Sequence, residues 1–170
     1  MHQSTNYRVR EVYIFYDATA NDGFIGIEVS RQLAERGMRP RLMVRRPVRG
    51  LMLRHLDAEI MQADIRSPES LRRILTGVDT VIHLGARAAF EPYPRLYPSI
   101  VKGSLNLMQA AIEARVESFV YGGSLLVYGD TAQPIDQETG TSPMSGYGRA
   151  KLEAELGLEK MATMAGIKLH

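Results

Sequence analysis

Val12-Tyr13-Ile14-Phe15-Tyr16-Asp17-Ala18-Thr19-Ala20-Asn21-Asp22-Gly23-Phe24-Ile25-Gly26 decides how the rest of the chain is read. A continuous apolar and aromatic run, Val12 to Tyr16, reads as a strand covered on both faces. It enters a polar turn and leaves it through two glycines three residues apart, Gly23 and Gly26, after which the apolar period changes from two to that of a helix. A strand that turns through glycine into a helix is how a nucleotide-binding fold begins, because the helix N-terminus presents backbone N–H groups to phosphate. Two positions make this turn irregular: Ala20 stands where a further glycine is expected, and Asp22 puts a negative charge beside the helix start.

Outward from that turn the pattern repeats. Phe24, Ile25, Ile27, Val29, Leu33 and Ala34 fit one helix face, closed by Gly37, and Arg41 to Val44 reads as a second strand. A third strand spans Ala58 to Ala63 and ends at Asp64; Ser67-Pro68-Glu69 then starts a short helix that stops at Gly77. Thr80 to Leu84 is a fourth strand, Pro92, Pro94 and Pro98 are expected to keep the next stretch irregular, and a long helix follows from about Ile100 to Ala114. Ser118 to Tyr121 is a fifth strand, residues Asp130 to Ser145 a loop, and Gly146 to Met164 the last helix, ended by Gly166. Five strands alternating with helices predict an α/β fold with a doubly wound parallel sheet in the order 3-2-1-4-5, whose ligand belongs at the carboxyl ends of the strands.

Composition bounds the function. With 170 residues, 45% hydrophobic and 24% charged, the chain is one domain's worth of a globular protein. No apolar run approaches the roughly 18 residues that span a bilayer, and residues Met1 to Arg10 form a polar extension without the apolar core of a secretion signal. A soluble cytoplasmic protein with no membrane or nucleic-acid partner is the expectation. The absence of cysteine excludes disulfides, thiolate nucleophiles and cysteine metal sites. A net charge of +2 hides a cluster of Arg36, Arg39, Arg41, Arg45, Arg46, Arg49 and Arg54. Most of these read as a solvated face; Arg45 and Arg46, at the end of the second strand, are placed for phosphate recognition.

Three residues form a possible reaction centre. Tyr147 and Lys151 are four apart on one helix and share a face, so an ammonium stands near a phenol and favours its ionised form. Taken by itself that spacing also fits a surface helix pair. Ser124 follows a buried strand and two glycines, Gly122 and Gly123, that would let a ligand approach the backbone. Serine, tyrosine and lysine together suit the oxidation of an alcohol or the reduction of a carbonyl, with a nicotinamide exchanging hydride. His83 reads as a packed core histidine rather than a catalyst. Arg45-Arg46 in place of an acidic residue favours a 2′-phosphate, hence NADP, with NAD as the alternative.

In this context the chain resembles the extended short-chain dehydrogenase/reductases, the NAD(P)-dependent epimerase/dehydratases. The likeness runs through Gly23-Phe24-Ile25-Gly26, Gly77 to Leu84, Phe119-Val120-Tyr121, Val127-Tyr128-Gly129 and Tyr147-Gly148-Arg149-Ala150-Lys151. The resemblance implies a Rossmann fold over residues 1–170, with the substrate-binding portion of such proteins absent. It assigns Ser124 the catalytic hydroxyl, Tyr147 the acid/base, and Lys151 the nicotinamide ribose and the tuning of Tyr147. It places Ala20, Gly23, Phe24, Ile25 and Gly26 at the pyrophosphate, Asp64 and Ile65 at the adenine, and Leu84, Gly85 and Ala86 beside the cofactor backbone. It also implies a small-molecule substrate such as a nucleotide sugar, and a homodimer formed through the long helices. Ile100 stands where the family carries an asparagine. The competing expectation is a Rossmann module without catalysis.

Overall fold

A computed structural model describes residues 12–16, 24–46, 53–85 and 91–170. Six parallel strands make one sheet in the order β3-β2-β1-β4-β5-β6: β1 Val12–Tyr16, β2 Arg41–Val44, β3 Glu59–Gln62, β4 Thr80–His83, β5 Ser118–Tyr121 and β6 Lys168–Leu169. The first five follow the expected order, and the sequence strands at Ala58–Ala63 and Thr80–Leu84 are shortened by a residue or so at their ends. Registers such as Tyr13↔Arg41 and Val12↔Thr80 set β1 between β2 and β4, so the winding reverses at the carboxyl end of β1. The strand β6 was not expected. It is two residues long, too short to show a period, and it is held by pairing to β5 at Ser118↔Lys168 and Phe119↔Leu169.

Neighbouring residues on the strands serve opposite faces, as the period of two requires. Met43 and Val81 join Leu71, Ile74, Leu107, Met108, Phe119 and Leu158 in one buried cluster. Leu42 and Val44, one position away, pack instead with Leu53, Leu56 and with Ile27, Val29 and Leu33. The helices behind these faces are α1 Phe24–Glu35, α2 Pro68–Ile74, α3 Tyr93–Glu113 and α4 Gly146–Ala165. The two-sided burial expected for Val12 to Tyr16 concerns side chains outside those described. Among the described residues, no helix is long and apolar enough to cross a membrane.

Helix ends carry their signals. Ser67 caps α2 by accepting from Ser70 N, with Pro68 at the first position, where a missing N–H costs nothing. Ser145 caps α4 by accepting from Gly148 N at 2.9 Å, and Gly166, at φ 72°, ends it.

The helix α3 corrects one expectation: it begins at Tyr93 and includes Pro94 and Pro98. Pro94 lies in the first turn, where the N–H is not needed. Pro98 removes only the bond to the carbonyl at position 94, and burial of Leu96 and Ile100 holds the turn together.

Arg41 departs from the solvated face expected for most of the arginine cluster, its side chain being only 14% exposed. Arg41 pairs with Glu59 at 2.7 Å and donates to the carbonyls of Ile74 and Thr76 at 2.9 and 3.0 Å, so it caps the end of α2. Arg36 donates to Gln32 O and Arg39 faces Asp57. Arg49 lies outside the described residues.

Candidate active site

The suspected residues gather at the carboxyl edge of the sheet. There β5 ends at Tyr121, and Gly122 continues it by donating its N–H to His83 O at 3.0 Å. A Cβ on Gly122 would lie 3.2 Å from Leu84 Cδ2, so this glycine lets the ends of β4 and β5 pack together. Ser124 then caps a 3-10 turn, Leu125–Val127, its Oγ accepting from Leu126 N at 3.3 Å. With Oγ serving as acceptor, the hydroxyl hydrogen is available to donate outward.

Helix α4 lies against this turn. Gly148 has no room for a side chain, because a Cβ would come within 2.3 Å of the Leu126 carbonyl oxygen. Tyr147 is half-buried and packs against the cluster of Leu96, Ile100, Val101, Ala150 and Ala154. Ile100, 2% exposed, fills an apolar position in that cluster where the resemblance places an amide. One turn after Tyr147, Lys151 is only 3% exposed. Its Nζ donates to the Gly122 carbonyl oxygen and sits 4.0 Å above the centroid of the Tyr121 ring. Burial lowers the lysine to about 8, against which the carboxylate of Glu155 raises it. Near neutrality this amine is charged but close to release.

His83 supports the floor of the site. It is 1% exposed, its Nε2 meets Ser104 Oγ at 2.8 Å, and its ring lies 5.4 Å from that of Tyr121. The reading as a packed core histidine agrees with this placement. Burial, with the Lys151 charge second, holds its pKa down to about 3. The folded protein therefore keeps His83 neutral while the unfolded chain takes up a proton below about 6.5. Stability from this residue is complete above pH 6.5 and is lost as pH falls toward 3. Melting temperature measured across that range should fall less steeply for His83→Asn than for the parent chain, and identical slopes would contradict the assignment.

The cofactor-side residues lie along the same edge. Arg45 and Arg46 follow β2, half-buried and exposed respectively, and Gln62 Nε2 donates to Arg45 O at 3.3 Å. Asp64, at the end of β3, is clasped by Arg66 at 2.6 Å; that bond, with Arg45 contributing, holds its carboxyl below the usual range. Ile65 turns inward: a Cβ on Gly103 would stand 2.8 Å from its Cγ2, and its carbonyl accepts from Asn106. Leu84 and Gly85 continue β4, half-buried. In α1, Ile25 is exposed, and the carbonyl of buried Gly26 accepts from Ser30 Oγ at 2.7 Å. Phe24 begins that helix, with its side chain outside those described; Ala20, Asp22, Gly23 and Ala86 also lie outside the described residues.

Two contacts escaped sequence reasoning. Tyr121 lies under the lysine and Glu155 is one helical turn beyond it. Glu155 was findable by the four-residue spacing from Lys151; Tyr121 was findable only as the aromatic that ends the strand before Gly122-Gly123-Ser124.

Comparison with known proteins bears on the same architecture. UDP-glucose 4-epimerase of Yersinia pestis is 32% identical over 152 residues, covering 81% of this chain and 45% of that protein. The 3 beta-hydroxysteroid dehydrogenase/Delta 5-->4-isomerase of Mycobacterium tuberculosis H37Rv is 30% identical over 132 residues, covering 68% of this chain and 35% of the relative. The solved structure of MoeE5 in complex with UDP-glucose and NAD superposes with a TM-score of 0.79 at 27% identity, over 94% of this chain and 51% of that one. The chain thus spans about half or less of the length of these relatives. The family model of NAD dependent epimerase/dehydratases matches residues 21–169, from the glycine turn through β6. A family model matched over that much of the chain shows that the chain belongs to the NAD-dependent epimerase/dehydratase family.

Proposed function

We propose that residues 1–170 form the nucleotide-binding domain of an NAD(P)-dependent oxidoreductase or epimerase acting on a nucleotide sugar or a related alcohol or carbonyl. The observation that carries the reading is the buried Lys151 ammonium at the end of β5, one turn from Tyr147 and beside the turn capped by Ser124. The bound nicotinamide would supply hydride exchange. Tyr147 gives or takes the proton on the substrate oxygen, while the Ser124 hydroxyl donates to that oxygen and fixes its position. The Lys151 charge stands close to the phenol's own helix turn and favours its ionised form.

The residues present fit a dinucleotide. The winding reverses between β2 and β4 at β1, and Arg45, Arg46, Asp64, Leu84 and Gly85 all stand at that edge. Ala20, Gly23, Phe24, Ile25, Gly26 and Ala86 complete the proposed cofactor set, with Tyr147 and Lys151 at the nicotinamide end.

Arg45 and Arg46 direct the choice toward NADP, since a guanidinium pairs with a 2′-phosphate and repels nothing there. Fluorescence titration should give tighter saturable binding of NADPH than of NADH. The double variant Arg45→Ala/Arg46→Ala should lose about 10–100-fold of NADPH affinity, as expected for one charge-assisted contact. NADH binding more tightly than NADPH to the parent chain overturns the arginine reading, and NAD then takes its place.

The second reading, a dinucleotide-binding module without turnover, is favoured by one observation: Ile100 fills with hydrocarbon a place that would otherwise hold a polar group under the site. Saturable cofactor binding with no hydride exchange on any sugar nucleotide supports that reading over the first.

A further inference from the structure

We propose that Tyr121 is a positioning residue of this site, its ring face holding the Lys151 ammonium at the end of β5. The inference rests on the serine-tyrosine-lysine reading for its functional meaning, though the contact itself does not. Lysine has four rotatable bonds and in water samples many positions for its charge. Here two features fix it. The Gly122 carbonyl oxygen accepts one N–H, and the Tyr121 ring lies 4.0 Å below the nitrogen. A cation over the face of an aromatic ring is attracted by the ring quadrupole, and the attraction grows when water is excluded, as it is at this 3% exposed lysine.

The ring is itself held. Tyr121 packs against both buried clusters on its side of the sheet, and His83 tilts against it at 5.4 Å. Its phenol stays protonated, because burial pushes its pKa up and Tyr147 and Glu155 act in the same direction. The ring therefore presents an uncharged face to the ammonium at working pH.

Charge on Lys151 is a balance among named neighbours. Burial opposes it; Glu155, on the same helix, favours it. Tyr147 lies on that helix, and His83, on β4, is neutral throughout the neutral range because its own pKa is held near 3. Helix α3 contributes Ser104, bound to His83, and the apolar side chains of Leu96, Ile100 and Val101. Against that background the ring's attraction adds to the Glu155 carboxylate and the Gly122 carbonyl in favouring the charged form of the buried amine. A ring worth of quadrupole corresponds to roughly one pH unit in the lysine midpoint.

The chain has four lysines, Lys102, Lys151, Lys160 and Lys168, so each ε-carbon labelled with carbon-13 gives a resolvable signal. Lys151→Arg identifies the resonance by removing it. In the parent chain the Lys151 ε-protons should be shifted upfield by the ring current and should titrate below the other three. Tyr121→Phe should keep both properties, and Tyr121→Leu should lose the upfield shift and lower the midpoint by about one unit. A folded Tyr121→Leu chain with unchanged shift and midpoint overturns the proposal. If the leucine variant does not fold, phenylalanines bearing one to three fluorines at position 121 withdraw charge from the ring face with little change of shape. The Lys151 midpoint should then fall stepwise with fluorine number, and a flat series overturns the proposal. These signals do not require cofactor or turnover, so failure of NADPH to bind counts against the proposed function and leaves the contact to be judged by its own resonances.

Discussion

Tyr147→Phe should lower turnover of the substrate by about 10²–10⁴-fold, the usual contribution of one positioned acid or base. Only the phenolic oxygen is removed. The ring that packs against Leu96, Ile100 and Val101 remains, so α4 should keep its place and the melting temperature should change little. Cofactor titration should stay within a few-fold of the parent. Lys151→Met, which keeps much of the side chain's bulk and removes its charge, should reduce turnover to a similar level and also weaken cofactor binding, since the lysine is assigned to both tasks. Full turnover in Tyr147→Phe would remove Tyr147 from the mechanism, and the hydroxyl of Ser124 could not replace it as a base at neutral pH.

The largest structural effect should come from Gly148→Ala. In most helix positions alanine stabilises relative to glycine, by about 1 kcal/mol. Here the added methyl would stand 2.3 Å from the Leu126 carbonyl oxygen, 3.0 Å from its carbon and 3.2 Å from Pro143 Cβ. Two of those three atoms are backbone and cannot rotate away. The 3-10 turn that carries Ser124 must therefore separate from the helix that carries Tyr147 and Lys151, at a cost of about 2–3 kcal/mol from overpacking. For a chain of this size the melting temperature should fall by roughly 5–10 °C. Activity should fall further than stability does, because the displaced elements are those holding the reacting groups. Gly157→Ala is the control on the same helix: its methyl would meet Leu105 Cδ2 at 2.7 Å, the end of a side chain that can turn aside. It should melt near the parent temperature. Equal melting temperatures for the two variants would show that the turn and helix are not in the contact described.

Much of this was readable from the residues, for reasons that differ by element. The strands β2 and β4 announced themselves because parallel strands inside a sheet carry short apolar runs, as Leu42, Met43 and Val44 do in β2 and Val81 in β4. The start of α3 was misread since proline was treated as a breaker wherever it occurred; Pro94 falls in the first turn, where its cost is low, and at Pro98, inside the helix, burial of Leu96 and Ile100 outweighs the lost bond. The strand β6 had no pattern to find, being defined by its partner alone. In the site, the spacing of Tyr147 and Lys151 foretold their shared helix, and the glycines before Ser124 its place just after β5. Gly122 was legible as a glycine but not as one packed against Leu84, which follows the neighbouring strand. Arg41 illustrates the reverse: charge clustering gave no hint that it closes α2 by binding the carbonyl of Ile74 at its end and that of Thr76 in the turn after it, because that role depends on residues more than thirty positions away.

An amine held near pH 8 has a thermodynamic consequence beyond catalysis. At that pH the site is about half protonated, so it neither owns nor lacks a proton. A dinucleotide brings negative charge, and any ligand that favours the charged lysine must draw a fraction of a proton from the surrounding buffer as it binds. Calorimetric heats taken at pH 8 in phosphate and in Tris should then differ by that fraction times the difference in the two buffers' ionisation enthalpies. At pH 6, where the lysine is already fully charged, its contribution to the discrepancy should vanish.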